Sequence, residues 1–428
     1  MSLLSFRQSF GAWRRLDNAA KIFPSTANRR NTRVFRYSCE LKEEINSQVL
    51  EAAAERTLEM FPSFRCVMSK GVFWYYLEDC ELLPRVHEDN RYICSKLYDS
   101  EKRQLLFEIT YFKNRINLEV FHALSDGTGS LQFLKALVCV YIKKLHPECV
   151  IDDDELGFIA SATEQNVDAF SKFYSPKNVQ KPKRTKAFHI QGHKREAGNL
   201  LVTEGVCNTN EVLALAKKYN TSLTVLLTAV YIRSIYKQMS FLQREKPIVI
   251  SVPVNLRRYF KSETARNFFG MIKVSYDFSK QDKSLESIIE AVKKTFDEEL
   301  TRERLAVRMN ALAKVEHNFF ARIAPLFFKN LVLSQARKIE EKGETAVISN
   351  VGRVDMPKGI TPYIERFSVY TSTMKLQLCL CSFEDKLSLC FTSNFSETEI
   401  QRAFFKVLCD NGINVKIYSN DYFIEEED

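Results

Sequence analysis

The chain has 428 residues, more than one compact core usually needs, which favours two domains of roughly 200 residues each. Its composition, 45% hydrophobic and 27% charged, excludes disorder, collagen-like repeats and a disulfide scaffold. The formal net charge is +9, and no stretch reaches the roughly 18 consecutive apolar residues of a membrane-spanning helix. Since the first residues also lack the apolar core of a secretory signal, we expect no membrane span and a cytoplasmic protein.

The positive charge is concentrated in two segments. Residues 1–33 carry seven basic residues against the single acid Asp17, and residues 175–195 carry seven basic residues and no acid. No nucleic-acid recognition motif and no interleaved aromatic residues accompany them, so we expect no nucleic-acid partner. We expect both segments to be solvated and to lie near an anionic small ligand. Within the first segment, apolar residues from Phe10 to Phe23 recur at helical spacing, which predicts an amphipathic helix that docks on the protein or touches a lipid.

The first half of the chain alternates strand and helix patterns. A short strand is followed by a helix up to Met60, and residues 105–121 read as a β-hairpin because apolar residues alternate on both sides of a central turn. After a loop at residues 122–130, apolar residues from Leu131 to Leu145 form a helical stripe. Beyond Asp152 the periodicity fades into acidic and then Pro- and Lys-rich sequence, which predicts a linker.

The second half repeats this mixture. Helices are predicted near 208–219, 222–238, across 284–342 and from Ser396, and strands near 248–254, 345–350, 366–373, 376–383 and 387–393. Both halves are therefore α+β, each with a sheet and flanking helices. We divide the chain into a basic N-terminal segment (1–32), an N-terminal lobe (33–174), a basic linker (175–195) and a C-terminal lobe (196–428).

Metal and disulfide chemistry have little support in the sequence. The eleven cysteines form no Cys-x-x-Cys pair and no Cys/His group at zinc spacing, which predicts reduced, mostly buried thiols, Cys379 and Cys381 included. His189 and His193 have the spacing of a helical metal pair but lie in the basic linker without a carboxylate between them. We therefore predict no metal site.

One loop carries the strongest chemical signal. The string from His122 to Gly127 reads His-Ala-Leu-Ser-Asp-Gly and lies between a predicted strand and a predicted helix. Histidine has the pKa best suited to proton removal near neutral pH, and a loop at the end of a strand can hold it at a cleft. A buried, purely structural histidine is the alternative.

This string matches the His-x-x-x-Asp-Gly motif of the CoA-dependent acyltransferase superfamily, which includes chloramphenicol acetyltransferase, alcohol acetyltransferases, wax-ester synthases and the condensation domains of nonribosomal peptide synthetases. Other segments resemble family motifs in the same order, over about residues 33 to 415. They are 61–65 (Phe-Pro-Ser-Phe-Arg), 252–257 (Val-Pro-Val-Asn-Leu-Arg), 267–270 (Asn-Phe-Phe-Gly), 349–352 (Ser-Asn-Val-Gly) and 392–397 (Thr-Ser-Asn-Phe-Ser-Glu). The alcohol acetyltransferase-like group is the most similar.

The resemblance implies two chloramphenicol-acetyltransferase-like lobes, forming a pseudo-dimer around a shared tunnel, with acyl-CoA as co-substrate and no bound cofactor. His122 would be the general base that lets an alcohol, amine or lipid acceptor attack the thioester directly. Asp126 would point away from the tunnel and pair with an arginine, for which we predict Arg257. Gly127 fits a turn in which a side chain would obstruct the backbone or its dihedral angles.

Ser349 and Asn350 are candidates to stabilise the oxyanion, with an ordinary turn as the alternative. Two other functions remain open. One is condensation-type transfer from the thioester of an acyl carrier protein, and the other is a non-catalytic binding protein of the same fold.

Overall fold

The structure is a computed structural model that describes residues 13–150, 168–173, 186–317 and 323–421. The acidic cluster Asp152–Glu155 and residues 175–185 of the predicted linker lie outside these ranges, as does Phe10. Within them, no helix is both long and apolar enough to cross a membrane.

The first part of the chain forms short strands and three helices. In chain order these are β1 (Trp13–Arg15), α1 (Ile22–Thr26), β2 (Val34–Leu41), α2 (Ser47–Met60), β3 (Cys66–Lys70), β4 (Tyr75–Asp79), β5 (Val86–Glu88), β6 (Phe107–Phe112), β7 (Arg115–Phe121) and α3 (Gly127–Leu145). The predicted hairpin is β6–β7, paired antiparallel from Phe107↔Val120 to Phe112↔Arg115. The predicted helix after the loop is α3.

The second part continues the mixture. Its elements are α4 (Ala169–Phe173), β8 (Leu201–Asn208), α5 (Thr209–Lys218), α6 (Leu223–Lys237), β9 (Ile248–Asn255), β10 (Phe269–Tyr276), α7 (Leu285–Glu299), α8 (Arg302–His317), α9 (Leu326–Glu341), β11 (Ala346–Arg353), β12 (Ile364–Thr371), β13 (Leu376–Phe383), β14 (Lys386–Ser393), α10 (Glu399–Asp410) and β15 (Lys416–Ser419).

These elements form two lobes with separate cores. A five-stranded sheet of order β12-β2-β7-β6-β5 packs with α2 and α3, and a seven-stranded sheet of order β10-β9-β11-β13-β14-β8-β15 packs with α6, α7 and α10. A small sheet of order β1-β4-β3 flanks the first lobe. The α+β prediction with two sheet-containing lobes is confirmed.

One strand links the lobes. β12 belongs to the second half of the chain, yet it pairs antiparallel with β2 of the first sheet, with Phe367 opposite Cys39. The strands on either side of it in sequence, β11 and β13, pair with each other in the second sheet. The chain therefore leaves the second lobe, adds an edge strand to the first, and returns. The domain boundaries given above stay a prediction. β12 lies inside the predicted C-terminal lobe, 196–428, but belongs to the sheet of the other lobe.

The N-terminal segment differs from its predicted form. Instead of continuing a helix, Trp13–Arg15 is a strand that pairs with β4, with Trp13 opposite Glu78. Backbone pairing with β4 outweighs the local helical pattern. The expectation that this segment docks on its own protein is confirmed for Leu16, Ala20 and Phe23, which are buried.

Candidate active site

The His122 loop lies where strand β7 ends and helix α3 begins. The backbone N–H of His122 donates to the carbonyl oxygen of Arg33, 2.9 Å away, which ties the loop to the start of β2. His122 is half-buried and lines a cavity of about 1210 Å³. The sheet thus holds the imidazole at a space large enough for a substrate.

Aromatic rings enclose the imidazole. Phe23 stacks on it with ring centres 4.3 Å apart, Phe35 meets it edge-on at 5.0 Å, and Phe269 lies tilted at 5.5 Å. These rings come from the N-terminal segment, β2 and β10, so three separate parts of the chain fix one side chain.

A hydrogen bond defines the tautomer of the ring. Nδ1 of His122 lies 3.0 Å from Oδ1 of Asn267. Because an amide oxygen only accepts hydrogen bonds, Nδ1 carries the ring proton and Nε2 keeps a free lone pair. The arrangement is that of a neutral imidazole whose Nε2 can take a proton.

Burial lowers the pKa of the His122 imidazole below its ordinary value of 6.5. The nearby Asp126 carboxylate, the backbone carbonyl of His122 itself and Asn267 oppose this effect, and the positive charge of Arg33 adds to it. Since desolvation has the largest effect, the ring is neutral at pH 7, the form that a general base requires.

The predicted pairing of Asp126 with Arg257 is present in the structure. Oδ2 of Asp126 lies 2.7 Å from one guanidinium nitrogen of Arg257, and both side chains are buried. Asp126 is also the N-cap of α3, where Oδ1 accepts from the backbone N–H groups of Thr128 and Gly129 at 3.1 Å each. Oδ2 further accepts from the N–H of Phe268 at 2.9 Å. The carboxylate therefore faces the 257–268 segment and is absent from the cavity wall.

Gly127 is the first residue of α3 and has no positive φ angle. A Cβ added there would lie 2.8 Å from the hydroxyl oxygen of Tyr37. Of the two reasons for a glycine considered above, lack of space applies and special dihedral angles do not.

Ser349 and Asn350 lie in β11, and neither lines the cavity that contains His122. The Asn350 side chain instead donates to the Thr224 hydroxyl at 2.7 Å and accepts from the N–H of Gly352 at 2.8 Å. Among the described contacts neither residue meets His122, and the polar groups of the Asn350 side chain are already hydrogen-bonded, so their role at the oxyanion stays a prediction. The alternative of a turn is wrong, because β11 continues through both residues to Arg353, with a shift in its pairing with β13 between Asn350 and Gly352.

Several residues that build the site are not among the predicted site residues. Phe23, Arg33 and Asn267 all contact His122, and Asp17 accepts a hydrogen bond from the Asn267 side chain at 3.2 Å. Two features of the sequence point to this group: Asn267 begins the segment 267–270 that resembles a family motif, and Asp17 is the single acid beside the seven basic residues of the segment 1–33.

The charged part of the cavity wall is predominantly basic. Among the described lining residues, the basic side chains number eight and the acidic ones four. The basic ones are Lys21, Arg33, Lys273, Arg304, Arg308, Lys329, Arg337 and Lys375, and the acidic ones are Glu299, Glu340, Glu341 and Glu344. An anionic ligand therefore meets a favourable field in this cavity.

Among the described side chains, no histidine other than His122 and no cysteine lines the cavity. His193 contacts Glu397 at 2.7 Å, and His189 lies 3.0 Å from Lys375 Nζ. In the part of the chain that the structure describes, no group of three or more His, Cys, Asp or Glu side chains could hold a metal ion. The eleven cysteines are free thiols, and all except Cys409 are buried.

Comparison with known proteins gives matches at the level of structure only. No family model and no curated protein sequence matches the chain. F. graminearum TRI101, solved with coenzyme A and T-2 mycotoxin, matches with a TM-score of 0.65 at 11% identity, over 94% of this chain and 99% of that one. The TRI3 trichothecene 15-O-acetyltransferase from Fusarium sporotrichioides matches with a TM-score of 0.60 at 13% identity, over 94% and 95%.

The first condensation domain of the CDA synthetase matches with a TM-score of 0.59 at 14% identity, over 94% of this chain and 96% of that one. At such identities the similarity concerns the fold. The resemblance read from the sequence motifs is confirmed at that level: the chain has the two-lobed fold of the CoA-dependent acyltransferases and condensation domains.

Proposed function

We propose that the protein is an acyltransferase that moves an acyl group from acyl-CoA to the hydroxyl or amino group of an acceptor. The observation that carries this proposal is the imidazole of His122, which lines a cavity of about 1210 Å³ while Asn267 holds its Nδ1 at 3.0 Å. A neutral ring with a free Nε2 is the group that such a transfer needs.

In the proposed reaction, Nε2 of His122 takes the proton from the acceptor as its oxygen or nitrogen attacks the thioester carbonyl. The carbon–sulfur bond then breaks, and the departing CoA sulfur receives the proton back from His122. The acyl group passes directly between the substrates. The sequence contains no Gly-x-Ser-x-Gly nucleophile motif, and no cysteine is among the described residues that line the cavity, which supports transfer without an acyl-enzyme.

The charge of the cavity supports CoA as the carrier of the acyl group. CoA bears several phosphate charges, and lysine and arginine side chains attract such groups. Eight of the twelve charged side chains in the wall are basic. F. graminearum TRI101, which shares the fold, was solved with coenzyme A bound.

Apolar side chains in the cavity wall favour an acceptor with a hydrocarbon body. Phe23, Trp74, Phe269, Met271 and Val332 all line the cavity. The sulfur of Met271 and the rings can pack against an alkyl or aromatic acceptor while its hydroxyl or amine faces His122. An alcohol, an amine or a lipid hydroxyl can each combine an apolar body with a group that attacks the thioester. Of these reactions, transfer to a hydroxyl oxygen is the one we favour.

The test is release of free thiol from a panel of acyl-CoA donors mixed with pooled alcohols and amines. We expect native protein and a His146→Ala control to release CoA, and His122→Ala to be slower by about 10²–10⁴. His146 lies at the far end of α3 and is absent from the cavity wall.

Two other outcomes would replace this proposal. The shared fold with a condensation domain favours carrier-protein thioesters as the alternative donor. Turnover with a loaded acyl carrier protein but not with acyl-CoA would establish that reading. Ligand binding without turnover of either donor would identify a non-catalytic binding protein.

A further inference from the structure

A buried carboxylate lies behind the base. Asp17 is 1% exposed and comes from the segment that links β1 to α1. Its Oδ2 accepts from the Asn267 side-chain amide at 3.2 Å and from the Asn267 backbone N–H at 3.3 Å. Its Oδ1 accepts from the backbone N–H of Ala20 at 2.7 Å. Asp17, Asn267 and His122 thus form a continuous chain of hydrogen bonds.

The direction of each hydrogen bond in this chain is fixed, because the carboxylate of Asp17 at its end can only accept. An ionised carboxylate offers no proton, so the amide nitrogen of Asn267 must face Asp17. That orientation turns Oδ1 of Asn267 toward Nδ1 of His122, 3.0 Å away. Without the carboxylate, the amide could rotate and present its nitrogen to the ring instead, which would move the ring proton to Nε2.

We propose that Asp17 is a positioning residue that sets the orientation of the Asn267 amide and thereby keeps His122 in the tautomer with a free Nε2. This proposal rests on the proposed function, since it gives that tautomer its catalytic purpose. The alternative is that Asp17 merely anchors the N-terminal segment through Ala20.

The charged groups around this relay, the hydrogen-bonded chain of Asp17, Asn267 and His122, come from several elements. Arg266 approaches Asp17 with its Nε 3.8 Å from Oδ2, and Asp168 adds a second negative charge nearby. Asp126 and Arg33 are the charged groups that act on His122. Burial raises the pKa of Asp17 to about 6, with Arg266 opposing the rise. Above that pH the carboxylate is ionised and acts only as an acceptor, as the relay requires.

The decisive variant is Asp17→Asn. Both oxygens of Asp17 accept hydrogen bonds, so an amide in its place must turn its NH2 toward either Ala20 or Asn267. The backbone N–H of Ala20 cannot turn away, whereas the side-chain amide of Asn267 can, so the NH2 turns toward Asn267 with loss of the hydrogen bond from the Asn267 backbone N–H. We expect kcat to fall by about 10²–10⁴ with the KM for acyl-CoA unchanged, because only the base is impaired.

The tautomer can be read without turnover, by ¹⁵N spectra of protein labelled at its six histidines. The signals absent from His122→Ala assign His122. Well above its pKa, native protein should show the proton on Nδ1, and Asp17→Asn should show it on Nε2. Because no substrate is present, failure of the proposed acyl transfer would leave this measurement intact.

Asp168→Asn is the matched control. It removes a negative charge that acts on Asp17 and leaves the side chains of Asp17, Asn267 and His122 in place, and its own carboxylate accepts from the N–H of Phe170. We expect an unchanged tautomer and unchanged kcat. Native protein with the proton on Nε2 would overturn the proposal even if Asp17→Asn does not fold, as would a folded Asp17→Asn variant that keeps the native tautomer.

Discussion

His122 shows how the surroundings of one side chain set its chemistry. Rings from Phe23, Phe35 and Phe269 surround it, and this burial lowers the pKa of the imidazole below 6.5. The same burial weakens the base, because a lower pKa means a weaker pull on the acceptor proton. Asp126 and Asn267 partly offset that loss by favouring the charged ring.

The sign of this shift predicts a pH profile. The ring must be neutral to act, so kcat/KM should rise as pH increases through the pKa of His122 and level off before neutrality. The rising limb should lie below 6.5, the ordinary pKa of histidine. Initial rates from about pH 5 to pH 9 measure it. A limb centred above pH 7 would mean that another group is the base.

How far the sequence predicts the site depends on the distance between its residues along the chain. The motif from His122 to Gly127 is local, so its base and its position between strand and helix could be predicted. The contacts of His122 with Asn267 and Phe23 join residues about 100 or more positions apart, and they arise only when β10 and the N-terminal segment close over the loop. No local pattern encodes them.

At the scale of elements, the site depends on how α3 begins. Asp126 caps the helix and forms a buried ion pair with Arg257, so the strand–loop–helix unit of the first lobe is tied to the segment that follows β9 in the second. Arg257 extends this tie by donating to the carbonyl oxygens of Thr264 and Arg266. The segment thus held contains Asn267, the partner of His122.

Asp126→Ala should therefore lower the free energy of unfolding by more than the loss of a helix N-cap alone. It leaves the buried Arg257 without its counter-charge, which typically lowers the free energy of unfolding by about 3–5 kcal/mol. The control is Asn208→Ala, which removes the N-cap of α5, where no ion pair is involved, and should cost about 1 kcal/mol. Urea denaturation measures both. Equal losses in the two variants would show that the ion pair adds nothing.

Helices and strands whose apolar residues recur at a clear period can be predicted from the sequence. Strands that form only through pairing with a distant strand cannot. Ile116, Leu118 and Val120 are all fully buried in β7, and their alternation predicted that strand. β10 lies at the edge of its sheet with half-exposed residues and contains Gly270, so its pattern is weak. The sequence pattern predicts a helix at β1, because its three residues gain strand structure only by pairing with β4.

At the scale of the whole molecule, β12 makes the lobes interdependent. It lies at the edge of the first sheet, while β11 and β13 on either side of it are in the second. Neither its length nor its pattern indicates this exchange, since a strand with the same side chains could equally join its own sheet. The two-lobe division could be predicted, and the crossing strand could not.

We expect the two lobes to unfold in one transition, because separating them removes β12 from the first sheet. Trp13 and Trp74, the two tryptophans of the chain, lie at or beside the small sheet that flanks the first lobe. Cys409, the exposed cysteine on α10, can carry a fluorophore on the second lobe. The two signals should share one urea midpoint, whereas two separated midpoints would show independent lobes.

The most direct test of His122 as the base is chemical rescue. In His122→Ala, the account predicts release of CoA thiol slowed by about 10²–10⁴ and partly restored by added imidazole, which can occupy the vacated space in the cavity and accept the proton. Unchanged thiol release in His122→Ala would contradict the account, because the acyl transfer would then need no base at this position.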